Sequence, residues 1–223
     1  MKIICSQCTA EFERDVPPEF NGFPVFKICP ACMESNAAGR RAETEKTDRA
    51  KSLAMWQELC PPAFQDTDLA NLPFPKVSAD TLAWRGGKRG LILYGKTRSG
   101  KTRTAWLLVK QQFETGQTAR VMDSMSGFEY AAIFNAGGAA ALEWVQSRAR
   151  CSLLFLDDVF KVKLTESFEA AMFAIVDYRL NHQLPIIATL NDTGETLSAR
   201  MTDDRGDAFI ARLKEMCDTI HFK

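Results

Sequence analysis

The eight residues from Gly95 to Thr102 match the pattern G-x-x-x-x-G-K-[ST]. An apolar run, residues 90–94, precedes them, and a stretch of helical composition, residues 103–110, follows. Between a strand and a helix this pattern cradles phosphates, because backbone N–H groups and the positive end of the helix dipole attract an anion. Lys101 would reach the β- and γ-phosphates, and Thr102 would ligate Mg²⁺. The sequence therefore predicts a nucleotide-binding P-loop rather than a chance glycine-rich turn.

The nucleotide is expected to contact the loop and the start of the helix that follows it. The residues assigned to this contact are Gly95, Lys96, Thr97, Arg98, Ser99, Gly100, Lys101, Thr102 and Arg103.

A second chemical motif is an apolar run, residues 151–156, that ends in Asp157 and Asp158. An acid at the tip of a strand is the usual partner of a P-loop. We expect Asp157 to hold Mg²⁺ through water and Asp158 to polarise the attacking water. Another buried strand is predicted over residues 184–191 and ends in Asn191. Ligands bind at the carboxyl ends of such strands, so Asn191 is expected to meet the γ-phosphate or the water, with a turn-forming role as the alternative.

Two C-x-x-C pairs, Cys5 with Cys8 and Cys29 with Cys32, are separated by 20 residues. Each tight turn can direct two sulfurs at one ion, and two such turns make the four-thiolate site that Zn²⁺ prefers. The residues between the pairs read as a β-hairpin-like ribbon too small to bury a core, so a metal would supply its stability. Redox dithiols or unrelated free thiols are the alternative. The predicted site is structural, because all four ligands come from the protein.

The chain divides by composition into three parts. Residues 1–36 are predicted to form the zinc-binding ribbon, residues 37–62 a helical linker, and residues 63–223 a nucleotide-binding domain. The linker interleaves acids with bases and gains an apolar face near its end, which is typical of a solvated helix. Beyond it, strands alternate with helices through short connections. This alternation predicts an α/β fold with a parallel sheet covered by helices.

Composition excludes some classes of protein. Lys plus Arg equals Asp plus Glu at 28 each, so the net charge is zero and any nucleic-acid surface must be a local patch. No apolar run approaches the roughly 18 residues of a membrane helix, and no signal peptide is recognisable. We therefore expect a cytoplasmic protein whose cysteines are reduced or bound to metal. Cys60, Cys151 and Cys217 are expected to be small core residues.

The order of these motifs resembles the AAA+ ATPases of the DnaC/IstB type, which are helicase loaders and transposition ATPases of bacteria and phages. The resemblance covers roughly Ala63 to Phe222. It rests on the P-loop, the Asp-Asp strand, the run Ile-Ile-Ala-Thr-Leu-Asn at residues 186–191, and the late segment Ile-Ala-Arg-Leu at residues 210–213. The family fold implies a five-stranded parallel sheet of order 5-1-4-3-2 and oligomers with ATP at subunit interfaces.

The resemblance also implies roles for particular residues. Asn191 matches the family's first sensor, and Arg212 matches an arginine finger that acts in trans, with Arg205 as the competing candidate. Two departures stand out. Asp158 occupies a position where the family usually has Glu, so hydrolysis is expected to be slow, and no residue can be assigned to the second-sensor arginine.

Helicase loaders carry an N-terminal helicase-binding domain that sometimes contains zinc, whereas transposition ATPases usually lack such a ribbon. The resemblance therefore implies an ATPase that loads a hexameric replicative helicase, binds single-stranded DNA and self-associates with ATP. Its cofactors would be ATP, Mg²⁺ and Zn²⁺. Two alternatives stay open: a transposition-type ATPase that assembles on duplex DNA, and a nucleotide-switched adaptor that scarcely hydrolyses ATP.

Overall fold

The computed structural model describes residues 2–17, 23–161, 164–191, 201 and 205–223. The chain divides into two compact units, Met1–Ala50 and Lys51–Lys223. Within the described residues, no helix is both long enough and apolar enough to span a bilayer.

The first unit contains a short antiparallel hairpin, β1 (Lys2–Ile4) and β2 (Glu11–Glu13), followed by a 3₁₀ turn over Pro24–Lys27. The hairpin encloses the first cysteine pair, whereas the sequence pattern placed a hairpin between the two pairs. The reason is local: the backbone N–H of Cys5 donates to Ala10 O at 2.8 Å, which closes the turn around that pair. Pro18 to Gly22, part of the expected ribbon, lie outside the described residues.

The helix α1 (Pro30–Leu59) starts immediately after Cys29. Proline suits the first turn of a helix, which explains why α1 begins before the charged stretch that indicated it. Its side chains are largely exposed, and Trp56 is its buried residue. The mixed charges of the stretch therefore belong to a solvated helix, as expected.

The second unit is built on five parallel strands: β3 (Gly90–Gly95), β4 (Ala119–Met122), β5 (Leu153–Asp157), β6 (Ile186–Leu190) and β7 (Cys217–Phe222). Their order is β4-β5-β6-β3-β7. Numbered one to five along the chain and read from the other edge, this is the order 5-1-4-3-2, so that expectation is confirmed. β5 and β6 are nearly continuous apolar runs, as strands covered on both faces must be.

Helices cover the sheet on both faces. They are α2 (Pro62–Gln65), α3 (Pro75–Thr81), α4 (Lys101–Glu114), α5 (Ser126–Ala136), α6 (Gly138–Arg150), α7 (Glu166–Asn181) and α8 (Arg205–Met216). α4 contains the helical stretch that the sequence indicated over residues 103–110, and the segment after Pro61 contains α2 and a 3₁₀ turn over Leu69–Asn71.

Alternate residues of the strands face two separate cores. Leu153 and Phe155 pack with α4, whereas Leu154 and Leu156 pack with α7. This division follows from the two-residue period of a strand. Because every strand of the sheet is parallel, Gly95, Met122, Asp157 and Leu190 all end strands at one edge. That edge is where open α/β sheets bind ligands.

Candidate functional site

The loop between β3 and α4 turns sharply at two glycines. Gly95 has φ +145° and Gly100 has φ +93°, and a Cβ on Gly95 would lie 2.5 Å from Phe222 O. A residue with a side chain could not replace Gly95 without moving the edge strand β7. Arg98 adopts φ +64° between them. The loop therefore leads directly into the start of α4, where N–H groups without a partner inside the helix favour the binding of an anion.

Lys101 lies beneath this loop and is 4% exposed. Its Nζ donates to Gly95 O at 2.9 Å, to Lys96 O at 2.8 Å and to Asn191 Oδ1 at 3.0 Å. These bonds hold the ammonium group in the loop although the side chain is long and flexible. The structure thus brings together the P-loop lysine and the polar residue at the end of β6.

The hydroxyl of Thr102 donates to Asp157 Oδ1 at 2.9 Å. The same carboxylate oxygen accepts from Thr189 Oγ1 at 2.7 Å. A hydroxyl oxygen and a carboxylate held this closely are oxygen ligands of the type that Mg²⁺ takes from proteins, usually together with water and substrate phosphates. Thr102 and Asp157 therefore fit the metal site that the sequence predicts.

Asp158 has φ +51°, an uncommon backbone conformation for a residue other than glycine. Its Oδ1 accepts from Asn191 Nδ2 at 3.0 Å, while Asn191 Oδ1 accepts from Lys101. One amide therefore connects the lysine of the loop with the second acid of the strand. Asn191 therefore lies between these two groups in the cleft, and its contact with the γ-phosphate or the water stays a prediction.

These groups line a cleft of about 660 Å³. Ten of the residues that the sequence assigned to the site line this cleft: Thr97, Arg98, Ser99, Gly100, Lys101, Thr102, Arg103, Asp157, Asp158 and Asn191. Gly95 and Lys96 instead contribute the carbonyl oxygens that accept from Lys101. The cleft is large enough for a nucleotide-sized ligand.

Two parts of the cleft wall were not predicted from the sequence. One is apolar and comes from the segment before β3: Pro61, Phe64, Leu72 and Pro73 line the cleft, with the Arg103 guanidinium 5.5 Å from the Phe64 ring centroid. The prolines and aromatic residues of this segment are the one signal in the sequence that could have pointed to it. The other part is Asp123 with Ser124, directly after β4. Met122 is in register with Leu156, so Asp123 follows β4 where Asp157 ends β5.

Arg212 lies away from this cleft in its own chain. Its Nε donates to Asp177 Oδ1 at 2.8 Å, and its guanidinium lies 4.4 Å from the Phe173 ring centroid. It belongs to the surface formed by α7 and α8. A role in the site of a neighbouring chain therefore stays a prediction, and the competing Arg205 has a side chain outside the described part of the structure.

The four N-terminal cysteines converge in the first unit. The sulfur atoms of Cys5, Cys8, Cys29 and Cys32 all lie within 4.8 Å of one another. Zinc–sulfur bonds of about 2.3 Å in a tetrahedron place the sulfurs about 3.8 Å apart, so the cluster has the size of a four-thiolate zinc site. Cys5 and Cys29 are buried, at 1% and 6% exposure. The cluster could bind zinc with little rearrangement.

Backbone hydrogen bonds favour a thiolate at Cys5. The N–H of Cys29 donates to Cys5 Sγ at 3.3 Å and, as the main cause, lowers the pKa of Cys5 to about 6. The pKa of Cys32 is raised to about 12, chiefly through its side-chain hydrogen bond with Cys8. A metal ion must displace the remaining thiol protons, as thiolate ligation generally requires.

The other cysteines are not part of this cluster. Burial raises the pKa of Cys60 to about 11 and that of Cys217 to about 12. Both are therefore protonated thiols in the core, as the sequence indicated, and Cys151 is half-buried.

No protein-family model and no curated protein matches this chain. Several solved structures match it. The crystal structure of the DnaC helicase loader matches with a TM-score of 0.59 and 18% identity, over 73% of this chain and 100% of that one. The crystal structure of DnaI matches with a TM-score of 0.60 and 15% identity, over 73% and 94%. Replication initiator DnaA bound to AMPPCP and single-stranded DNA matches with a TM-score of 0.54 and 18% identity, over 72% and 50%. The chain therefore shares the fold of the DnaC helicase loader and of DnaI.

Proposed function

We propose that this chain is an ATP-dependent loader of a hexameric replicative DNA helicase. It binds ATP with Mg²⁺ and single-stranded DNA in its second unit, and its zinc-binding first unit contacts the helicase. The observation that carries the proposal is the hydrogen-bonded set of Lys101, Asn191 and Asp158 beside Thr102 and Asp157. A P-loop, two strand-end acids and a polar sensor position are the parts that ATP hydrolysis requires.

Each residue of the set has a chemical task. The loop N–H groups bind the phosphates, and Lys101 neutralises the β- and γ-phosphate charge. Thr102 and Asp157 hold Mg²⁺, which supplies charge stabilisation at the transferred phosphoryl group. Asp158 orients the attacking water, and Asn191 positions Asp158 and contacts the γ-phosphate. Because Asp158 is one methylene shorter than the usual glutamate, turnover is slow.

Two observations favour a helicase loader over the other candidate functions. The similarity covers 100% of the DnaC chain and 94% of the DnaI chain, but only 50% of the DnaA chain. The cysteine cluster occupies a unit of its own, Met1–Ala50, where a loader needs a helicase-binding element. A cytoplasmic location follows from this proposed function.

The Asp157→Asn substitution should separate metal binding from nucleotide binding. The Asp157→Asn variant keeps an oxygen that accepts from Thr102 and Thr189 but loses the charge that holds Mg²⁺. We expect ATP affinity in EDTA to match the wild type, while hydrolysis falls by about 10²-fold or more because charge stabilisation at the phosphoryl group is lost. Fluorescent-ATP titrations with and without Mg²⁺ measure the affinity, and phosphate release at saturating ATP measures hydrolysis. Retained wild-type hydrolysis would exclude Asp157 as the metal residue.

ATP-dependent self-association would place Arg212 in the site of a neighbouring chain. We expect Arg212→Ala to lower hydrolysis by about 10³-fold, the effect of removing an arginine finger, without weakening ATP binding. Asp177→Asn is the matched control, since it breaks the same ion pair but keeps the arginine. Equal loss in the two variants would mean that the arginine matters only for packing α8 on α7.

A nucleotide-switched adaptor is the second candidate. It is favoured by Asp158, whose short carboxylate is bound by Asn191 Nδ2 at 3.0 Å. Steady-state turnover in the presence of DNA separates the two functions. Hydrolysis of several ATP molecules per chain per minute supports the loader. Hydrolysis that scarcely continues beyond one ATP per chain supports the adaptor.

The partner is tested by pull-down from host lysate with ATP and with ADP. The bait is the whole chain, and the control is the double variant Cys5→Ser, Cys29→Ser, which removes both buried sulfurs of the cluster. The proposal requires a hexameric replicative helicase with the wild type and its loss with the variant. Capture of a transposase, or absence of a helicase, would instead favour the ATPase that assembles on duplex DNA.

A further inference from the structure

One polar residue interrupts the buried strand β6. The strand reads Ile-Ile-Ala-Thr-Leu, all five residues are buried, and Thr189 is fully inaccessible. A hydroxyl buried among apolar neighbours is unfavourable unless it is hydrogen-bonded. Its presence at this position, in place of valine of the same shape, therefore calls for partners within the sheet.

The partners of Thr189 are the carboxylate of Asp157, which ends β5, and the backbone N–H of Asp158, which follows it. The parallel register places Asp157 beside Thr189, with Leu93 of β3 on its other side. The Thr189 hydroxyl donates to Asp157 Oδ1 at 2.7 Å and accepts from the backbone N–H of Asp158 at 3.1 Å. Its donor and an acceptor site are thus both used by adjacent residues of the candidate site.

The two hydrogen bonds of the Thr189 hydroxyl hold different parts of the site in place. The bond to Asp157 holds the carboxylate that also accepts from Thr102, so the side-chain angle of the proposed metal residue is set from the interior of the protein. The bond to Asp158 holds the backbone where it adopts φ +51°, a conformation that non-glycine residues keep only when their surroundings enforce it. That backbone angle directs the Asp158 carboxylate to Asn191.

We propose that Thr189 is a positioning residue of the metal end of the site, which fixes Asp157 for Mg²⁺ and Asp158 for the attacking water through a single hydroxyl. It does not contact nucleotide, because it is fully buried and does not line the cleft. Residues that hold a metal ligand in place typically change metal affinity or activity by 10- to 100-fold when they are replaced. The inference rests on the proposed Mg²⁺–ATP function.

The test compares Thr189→Val with Thr189→Ser in the whole chain. Valine keeps the shape and removes the hydroxyl, whereas serine keeps the hydroxyl and removes a methyl group. Fluorescent-ATP affinity is measured across a Mg²⁺ titration and in EDTA, and hydrolysis is measured at saturating ATP. In Thr189→Val we expect the Mg²⁺ half-saturation concentration to rise and kcat to fall, each by about 10-fold or more, with EDTA affinity unchanged. Thr189→Ser should recover most of both.

The outcomes separate this inference from the function on which it rests. If wild-type protein shows no Mg²⁺-dependent ATP binding, the proposed function itself is wrong. If the wild type binds as proposed and Thr189→Val has the same Mg²⁺ dependence, the positioning role is overturned. It is also overturned if serine is as impaired as valine, since the methyl group would then be what matters. Should Thr189→Val fail to fold by circular dichroism, Thr189→Cys, which keeps a weak donor of similar size, takes its place with an intermediate effect expected.

Discussion

The Lys101→Ala variant should lose ATP hydrolysis by about 10²- to 10³-fold, the usual cost of removing one preorganised charge-stabilising donor. The reason is geometric. Lys101 is buried beneath its loop and held by Gly95 O and Lys96 O, so its ammonium is in place before a phosphate arrives. No flexible side chain has to be ordered on binding, and alanine offers no cation in its place. ATP affinity should fall as well, because the ammonium contacts the ground-state phosphates.

The control for this variant is Lys88→Ala. Lys88 is an exposed lysine two residues before β3, at the end of the strand opposite to the P-loop. It changes the net charge equally and should leave ATP binding and hydrolysis as in the wild type. Circular dichroism of both variants excludes unfolding. Unchanged ATPase activity and affinity in Lys101→Ala would refute the assignment of the P-loop.

Removal of zinc should unfold the first unit and leave the second one intact. The described part of that unit has a hairpin of three-residue strands and a largely exposed helix, so it lacks an apolar core of its own. Structural zinc contributes on the order of 10 kcal/mol to such small units, more than their folding can otherwise supply. The second unit keeps its two cores on either side of the sheet, neither of which involves the cluster.

Limited proteolysis after chelation measures this difference. We expect rapid cleavage before about residue 50 and a protected fragment that contains the sheet, with zinc content falling from one ion per chain to none. Cys151→Ala, in the second unit and outside the cluster, is the matched control and should keep its zinc. N-terminal protease resistance that survives chelation would mean that the cysteines do not hold this unit together by metal.

Local patterns in the sequence were sufficient to predict which groups come together in the cleft. The loop from Gly95 to Thr102 and the two acids at the end of β5 are contiguous motifs, and their flanking strands are apolar enough to recognise. Parallel strands then bring them to one edge of the sheet, so no long-range information was needed to place them together.

Residues that act across strands could not be predicted in this way. Thr189 is one hydroxyl in an apolar run, and its importance appears only when the register of β6 places it beside Asp157. The apolar wall formed by Phe64 and Pro73 depends on how the segment before β3 folds back onto the P-loop. The hairpin around Cys5 was misplaced for a similar reason, since a turn closed by one backbone bond leaves little trace in composition.

Calorimetric titration of the whole chain with ATP, in Mg²⁺ and again in EDTA, measures whether the cleft binds nucleotide. We expect a single ATP per chain, bound more tightly with Mg²⁺ than without it, and a Lys101→Ala variant that binds at least about 10-fold more weakly, as the loss of a charged hydrogen-bond donor implies. Absence of ATP binding by the wild type at millimolar nucleotide, or binding that Lys101→Ala leaves unchanged, would contradict this expectation.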